Sequence, residues 1–171
     1  HALSATYASQ ARFVGSSATG AIGVTKASVA PTVTQPKSTT VYGQAATFTA
    51  TLRSVPGGTI PTGYIQFYGG GKPIGGQVAI DAVGRATTTG IPRIVSSRTV
   101  TAEYFGDLNY AATTSAAIVH TVLKASVAPT VTQSKSTTVY GQPATFTATL
   151  RSVPGGTIPA GYVQFYSGSN P

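Results

Sequence analysis

Apolar and polar residues alternate along three segments of the chain. Residues 46–52 place Ala46, Phe48, Ala50 and Leu52 on one side, and three threonines, Thr47, Thr49 and Thr51, on the other. Residues 64–68 and 99–104 alternate in the same way, with Ile65, Phe67, Val100, Ala102 and Tyr104 as the inward set. A period of two in β-branched and aromatic residues predicts half-buried strands. Shorter runs predict further strands at 29–33, 77–80, 84–88 and 117–122.

Turn-forming residues separate these segments. Glycine, proline, asparagine and aspartate are concentrated at 56–58, 61–63, 69–71 and 106–109, and such groups mark turns rather than continued strands. No segment shows a helical period. About seven short strands within roughly 100 residues are typical of an immunoglobulin-like β-sandwich, so the predicted fold class is all-β.

The sequence repeats itself. Residues 26–73, the first copy, recur 98 residues later as residues 124–171, the second copy, and seven of these 48 positions differ. The exchanges are Pro36/Ser134, Ala45/Pro143, Thr62/Ala160, Ile65/Val163, Gly69/Ser167, Gly71/Ser169 and Lys72/Asn170. Residues 1–7 align more weakly with 98–104, and one position must be skipped before Lys26. A fixed period is the signature of a repeat array, so we expect tandem sandwiches.

The period divides the chain into three parts. We expect 1–25 to be the C-terminal strands of one repeat, 26–123 to be a complete repeat, and 124–171 to be the N-terminal strands of a third. The favoured interpretation is a section of a longer array. In the alternative, the two partial repeats of neighbouring molecules complete each other, and the mass of the intact protein would distinguish the two.

Composition and charge limit the chemistry. Charged residues make up 8% of the chain, and 11 basic against 3 acidic residues give a net charge of +8. The basic residues are spread evenly, whereas a nucleic-acid site is usually a basic patch or stripe. We therefore expect no specific nucleic-acid binding, and weak attraction to anionic surfaces instead. The chain has no apolar run long enough to span a membrane.

The candidates for catalysis and metal binding are few. The acids are Asp81, Glu103 and Asp107; Glu103 is expected to face outward, and Asp107 to cap backbone amides in a turn. Cysteine is absent, and His120 has no second histidine nearby. Three acids in these roles do not furnish an acid–base pair, and a zinc site needs several histidine or cysteine ligands. We therefore predict no metal, no cofactor and no enzyme activity. His120 is expected to be a packing or surface residue.

Four motifs carry a resemblance to a known family. They are VYGQ at 41–44, TFTAT at 47–51, PTGYIQFY at 61–68 and TAEYFGDLNY at 101–110. In this order they resemble bacterial Ig-like repeat domains. The resemblance implies the sandwich fold and a place in a large secreted or surface-attached protein, and it brings no catalytic residues. Residues 7–13 depart from the last motif, so that loop is expected to differ in conformation.

Two sets of outward residues are candidates for surface or glycan contact. Thr47, Thr49 and Thr51 form a hydroxyl row, with Thr99 and Thr101 on a further strand. Such a row suits O-linked sugars or a flat polysaccharide or ice lattice, although threonine is also an ordinary strand former on a solvated face. The second set is the tyrosine pairs Tyr64, Tyr68, Tyr162 and Tyr166. These tyrosines are suited either to stacking on sugars or to covering a neighbouring sandwich.

The junction between repeats indicates how the array behaves. Residues 116–129 contain no glycine, which argues against a flexible linker, and no carboxylate, which argues against calcium stiffening. We therefore expect a semi-rigid rod whose partners are neighbouring repeats of the same chain or fibre. The predicted function is a non-catalytic stalk, fibre or filament repeat on a bacterial surface. The alternatives are an adhesive module that binds cell-surface or matrix polysaccharide by multivalent weak contacts, and an accessory domain array of a larger secreted enzyme.

Overall fold

The computed structural model describes residues 1–152 and 158–168. Within these ranges the chain forms fourteen strands and no helix, which confirms the all-β fold class. In chain order they are β1 (Ala2–Tyr7), β2 (Ser16–Ala21), β3 (Thr32–Thr34), β4 (Thr39–Val41), β5 (Ala46–Thr51), β6 (Tyr64–Gly69), β7 (Lys72–Pro73), β8 (Val78–Ala79), β9 (Arg85–Gly90), β10 (Ser97–Tyr104), β11 (Thr113–Thr114), β12 (Ile118–Leu123), β13 (Thr130–Gln133) and β14 (Phe146–Thr149).

Strands β3 to β12 form two sheets. The smaller sheet has the order β3-β5-β9, and the larger has the order β4-β12-β10-β6-β7, with β11 added beside β10 and β8 beside β6. Neighbouring strands are antiparallel except for β4, which runs parallel to β12. Two mainly antiparallel sheets of short strands are the architecture of an Ig-like β-sandwich.

The inward faces of the two sheets form one core. Phe48, Ala50 and Leu52 from the smaller sheet are buried, as are the inward residues of β6 and β10, Ile65, Phe67, Val100, Ala102 and Tyr104. All belong to or line one hydrophobic cluster. The alternation in the sequence is therefore confirmed at each of these positions. Each large side chain buried in this way contributes about 1.5–3 kcal/mol of transfer free energy.

The sequence located the longer strands and missed three of the short ones. Strands were correctly expected near β5, β6, β8, β9, β10 and β12, but β4, β7 and β11 are two or three residues long and show no alternating pattern. The strand expected at 29–33 begins three residues later, at Thr32. Pro31 stands immediately before it, and proline has no N–H to donate to a ladder. Val29 instead packs against the core from an irregular segment.

The glycines at 69–71 form the expected turn. Gly69 ends β6, and Gly70 and Gly71 have positive φ angles of 57° and 77°. Two consecutive residues with positive φ make the tight hairpin turn whose twist suits antiparallel strands. This turn leads directly into β7, which pairs back on β6.

The first and second copies share a strand pairing. In the first copy, β3 and β5 pair so that Val33 lies opposite Ala50. In the second copy, β13 and β14 pair so that Val131 lies opposite Ala148. Each partner is shifted by the same 98 positions, so the register of the hairpin is identical in the two copies.

Strands β1 and β2 repeat the pairing of β10 and β12. Leu3 lies opposite Gly20, and at the aligned place Val100 lies opposite Ile118. The position skipped in the sequence alignment corresponds to a bulge. Val100 pairs with Ile118 and Glu103 with Thr114, so three steps along β10 match four steps along the partner segment. The hairpin of β1 and β2 has no such extra residue. Ser115 occupies the bulge, where its hydroxyl accepts a hydrogen bond from the Ala102 amide at 3.0 Å.

Candidate binding surfaces

The predicted threonine row lies on the outer face of the smaller sheet. Because Phe48 and Ala50 point into the core, the alternate residues of β5 point away from it, and the register brings threonines of β3 and β9 beside them. The resulting threonine face consists of Thr32, Thr34, Thr47, Thr49, Thr51, Thr87 and Thr89. Arg85, opposite Thr51, is the one charged residue in the three strands.

Hydroxyl groups of the threonine face bond to one another across the strands. Thr47 and Thr89 approach to 3.1 Å between their Oγ1 atoms, and Thr49 and Thr87 to 3.0 Å. Cross-strand threonine pairs of this kind stabilise a sheet by about 0.2–1 kcal/mol each. The contacts fix the side-chain rotamers, so the face presents methyl groups and hydroxyls in a regular array. Such an array is chemically suited to a flat, hydroxyl-rich polymer.

Thr99 and Thr101 do not extend this face. Both lie on β10, which belongs to the larger sheet, with Thr101 opposite Tyr68. Their outward positions are therefore on the other side of the sandwich. The sequence alone gave their strand but not their sheet, because alternation does not say which strands pair.

The first tyrosine pair lies on the outer face of the larger sheet. Tyr64 is 54% exposed, and Tyr68 is half-buried beside Glu103. Its interaction with the Glu103 carboxylate, together with partial desolvation, raises the pKa of Tyr68. Tyr64 and Tyr68 are four residues apart on β6, which places their backbone positions about 13 Å apart along the strand. Two rings at that spacing suit separate units of an extended polymer rather than one small sugar.

Gln66 lies between the two tyrosines and is buried although its position is outward. Its Nε2 donates hydrogen bonds to the carbonyl oxygens of Phe67, at 2.9 Å, and Gly75, at 3.2 Å. These bonds cover the side chain with the segment that follows β7. Alternation along β6 gives no indication of this contact, since Gly75 is nine residues away.

The second tyrosine pair does not share the geometry of the first. Tyr162 and Tyr166 are exposed, and residues 162–166 form no strand, whereas the aligned residues of the first copy form β6. Strand β6 is held by pairing with β10, and the 171 residues contain no second counterpart of β10 after residue 123. Glycan contact by the four tyrosines and the threonine row therefore stays a prediction.

The threonine face and the tyrosine pair are not one site. They lie on the outward faces of the two sheets, with the whole core between them. A ligand on one face cannot reach the other. The structure therefore separates two candidate surfaces that the sequence offered together.

Comparison with known families agrees with this architecture. The chain matches the bacterial Ig-like domain (group 3) family over residues 32–123, more than half of its length. It belongs to that family. No curated protein matches the chain. The match runs from the first residue of β3 to the last of β12, so it covers the two-sheet sandwich. Bacterial Ig-like domains are typically non-catalytic modules, and they often occur in surface or extracellular proteins.

Asp107 has a structural role in this Ig-like domain. Its carboxylate accepts hydrogen bonds from the backbone amides of Thr62, Asn109 and Tyr110, at 2.7–2.8 Å, and from the Thr62 hydroxyl at 3.1 Å. Partial desolvation alone would raise the pKa of Asp107, but these hydrogen bonds outweigh it and hold the pKa at about 2. The predicted capping role is confirmed.

The loop between β1 and β2, which aligns with the loop that contains Asp107, closes differently, as predicted. Gln10 and Phe13 form an isolated bridge with two backbone hydrogen bonds, and no aspartate is present.

His120 is a packing residue of the Ig-like domain. It is buried, and its ring lies edge-on to Phe48 with 5.3 Å between ring centroids. Its Nε2 is 3.0 Å from the Thr40 hydroxyl, and its Nδ1 is 2.9 Å from Gln35 Oε1. Burial lowers the pKa of His120, partly offset by a hydrogen bond with the Lys37 backbone. Packing against the core is one of the two roles that the sequence predicted.

Within 1–152 and 158–168, histidine and acidic side chains form no group of three or more that could hold a metal ion. In the same part of the chain, no helix has the length and apolar character needed to cross a membrane.

Proposed function

We propose that the chain is a non-catalytic structural repeat of an extracellular stalk, fibre or filament on a bacterial surface. The observation that carries this proposal is the 98-residue period together with the strand registers. The β3–β5 pairing recurs as β13–β14, and the β10–β12 pairing is preceded by an equivalent in β1–β2. Membership of the bacterial Ig-like domain family supports a surface or secreted module.

The junction supports a rod rather than a flexible string. Strand β12 continues to Leu123, and β13 begins at Thr130. Residues 124–129 lie between them and contain no glycine. Even a fully extended connection separates the end of β12 from the start of β13 by at most about 24 Å. A short, glycine-free connection restricts the angle between neighbours. The partners proposed for this repeat are accordingly the repeats on either side of it.

Small-angle X-ray scattering tests the stalk. For an array of three complete repeats, each a copy of residues 26–123, we expect a maximum dimension that grows in equal steps with repeat number. The matched control is the same array with a glycine- and serine-rich spacer at each junction, which should broaden the distance distribution. A compact, isotropic particle for the unmodified array would contradict the proposal.

A second candidate function is adhesion, and the exposed tyrosine and threonine faces favour it. Each repeat would contribute weak contacts to a polysaccharide, and several repeats would add them together by multivalency. Glycan-array and whole-cell binding measurements discriminate the two. Binding that is lost when Tyr64 and Tyr68 are both replaced by serine would support adhesion, whereas the absence of binding to any surface would favour the stalk.

A further inference from the structure

A cleft lies at the end of the sandwich where β12 leaves the complete repeat. Its volume is about 370 Å³, within the range of small-molecule sites. The floor is apolar and is formed by Phe48, Ile74, Val100 and Val122. Ile91 and Ile94, from the segment between β9 and β10, line it as well and are about half exposed. We call this site the exit cleft.

Among the residues that the structure describes, three cationic side chains and no acidic side chain line the exit cleft. They are Lys72, Arg93 and Arg98. The Arg98 Nε donates a hydrogen bond to the Ser96 hydroxyl at 3.2 Å, and the Arg98 methylene groups lie near Gly70, so two contacts position the guanidinium.

The three acidic side chains of the domain lie away from these cations. Asp81 precedes β9 and Asp107 follows β10, whereas the cleft is lined by the last residue of β9 and the first half of β10. Asp81 is also occupied, since it accepts hydrogen bonds from the Val83 and Arg85 amides. Glu103, the third acid, is near the far end of β10, where it interacts with Tyr68. The positive charge at the exit cleft is therefore uncompensated by the carboxylates of the domain.

We propose that the exit cleft binds an amphiphilic anion, a single aliphatic chain that ends in a carboxylate or phosphate group. The aliphatic chain would contact the floor, where it loses its exposure to water. The anionic group would stay at the opening, where Lys72, Arg93 and Arg98 can donate charge-assisted hydrogen bonds, which are stronger than neutral ones. This site is independent of the stalk function, because it needs only the complete repeat.

The second copy lacks two features of the site. Ser167 stands in place of Gly69, and Asn170 in place of Lys72. A Cβ atom on Gly69 would come within 3.0 Å of Ile74 Cδ1, so a serine there adds atoms to the cleft wall and displaces Ile74. The Lys72 exchange removes one of the three cations. The second copy thus supplies two exchanges that should narrow the exit cleft and reduce its charge when they are placed in the first copy.

The test measures ligand binding to the 171-residue chain. Calorimetry gives the affinity, and amide chemical shifts locate the bound ligand. Decanoate and decyl phosphate, both kept below their micelle concentrations, represent the two anionic groups. Decyl maltoside has the same aliphatic chain without charge, and acetate has the charge without the chain. We expect the two anionic probes to bind and to shift amides of β10, β12 and residues 90–95, and the two controls to bind at least about tenfold more weakly.

Two variants copied from the second copy localise the site. Gly69→Ser and Lys72→Asn should each weaken decanoate binding by about threefold or more, and both exchanges already occur in the repeat. Lys135→Asn makes the same chemical change at an exposed position of the second copy and should leave binding unchanged. Equal binding of decyl maltoside and decanoate, or unchanged binding in both cleft variants, would overturn the proposal. So would concentration-dependent self-association that Gly69→Ser abolishes, because the occupant would then be a second copy of the chain.

Discussion

The first and second copies differ at only seven of 48 positions, yet aligned residues have different surroundings in the structure. In the first copy, Phe48 is 3% exposed, and in the second, the aligned Phe146 is 54% exposed. The β3–β5 hairpin and the β13–β14 hairpin nevertheless have the same register. Nearly identical residues thus form the same local pairing but only one buried core.

This difference shows which part of the fold is local. The hairpin needs only residues within one copy, whereas burial of Phe48 needs β9 beside β5 and His120 of β12 against its ring. Those partners come from residues 74–123, of which the chain holds a single complete set. The core is therefore a property of the whole repeat, and the following changes test that conclusion.

The largest contrast is expected from the two aligned phenylalanines. Phe48→Ala should lower the free energy of unfolding by about 3–5 kcal/mol, because it leaves a cavity in the core. Phe146→Ala should change it by about 0.5 kcal/mol or less, as is usual for exposed positions. Chemical denaturation monitored by tyrosine fluorescence measures both.

An extended chain sharpens the same comparison. When a further copy of residues 74–123 follows Pro171, the Phe146→Ala variant should become nearly as costly as Phe48→Ala. If Phe146→Ala remained harmless in that longer chain, the second copy would not fold as the first does, and the proposed array would lose its main support.

A smaller contrast is expected from two buried tyrosines of the complete repeat. The Tyr110 hydroxyl donates to the Thr59 carbonyl at 2.6 Å and accepts from the Val55 amide at 3.3 Å, so it ties residues of the first copy to the second half of the repeat. The Tyr104 hydroxyl is buried and has no hydrogen-bond partner among the described residues. Burial, with the nearby Asp107, raises the pKa of Tyr104.

Removal of the Tyr110 hydroxyl and removal of the Tyr104 hydroxyl should therefore affect stability differently. Tyr110→Phe leaves two backbone groups without their partner and should cost about 1–3 kcal/mol, whereas Tyr104→Phe should be neutral or stabilising. Thermal unfolding of both variants under the same conditions gives the comparison. A cost for Tyr104→Phe equal to that for Tyr110→Phe would show that the Tyr104 hydroxyl has a partner after all.

Sequence alone was sufficient for the strands and insufficient for their assembly. Period-two alternation identified Phe48, Ile65 and Val100 as core residues, because side-chain direction along a strand is a local property. It did not place Thr101 and Thr49 on opposite faces, nor did it predict the exit cleft. Both depend on which strands pair across 30 or more residues, and no local pattern encodes that choice.

The third test uses the buried histidine, which links Thr40 and Gln35 of the first copy to β12. Its pKa is lowered in the folded state, mainly by burial. The unfolded chain therefore binds more protons below about pH 6.5, and stability should fall as the pH falls through that value. Denaturation at about pH 7.5 and about pH 5.5 should show this loss in the parent chain and a smaller loss in His120→Gln. An unchanged pH dependence in the variant would assign it to another group.

The smallest effect is expected when the first copy receives a residue of the second. Thr62→Ala introduces the residue found at Ala160 and removes the hydroxyl that donates to Asp107 at 3.1 Å. The backbone amide of residue 62 still donates, so the cost should be about 0.5–1.5 kcal/mol near neutral pH. Thr62→Ser, which keeps the hydroxyl, should retain most of the stability that Thr62→Ala loses.

The pH dependence identifies the cause of that loss. The pKa of Asp107 is lowered to about 2 in the folded protein, so its contribution is complete above the unfolded value of about 3.9 and is lost as the pH falls towards 2. Thr62→Ala should raise this pKa, and the difference in stability between variant and parent should therefore shrink as Asp107 becomes protonated. A carboxyl NMR titration measures the pKa directly. If the pKa did not move while stability fell, the hydroxyl of Thr62 would act through packing, and the exchange at this position between the two copies would have no electrostatic consequence.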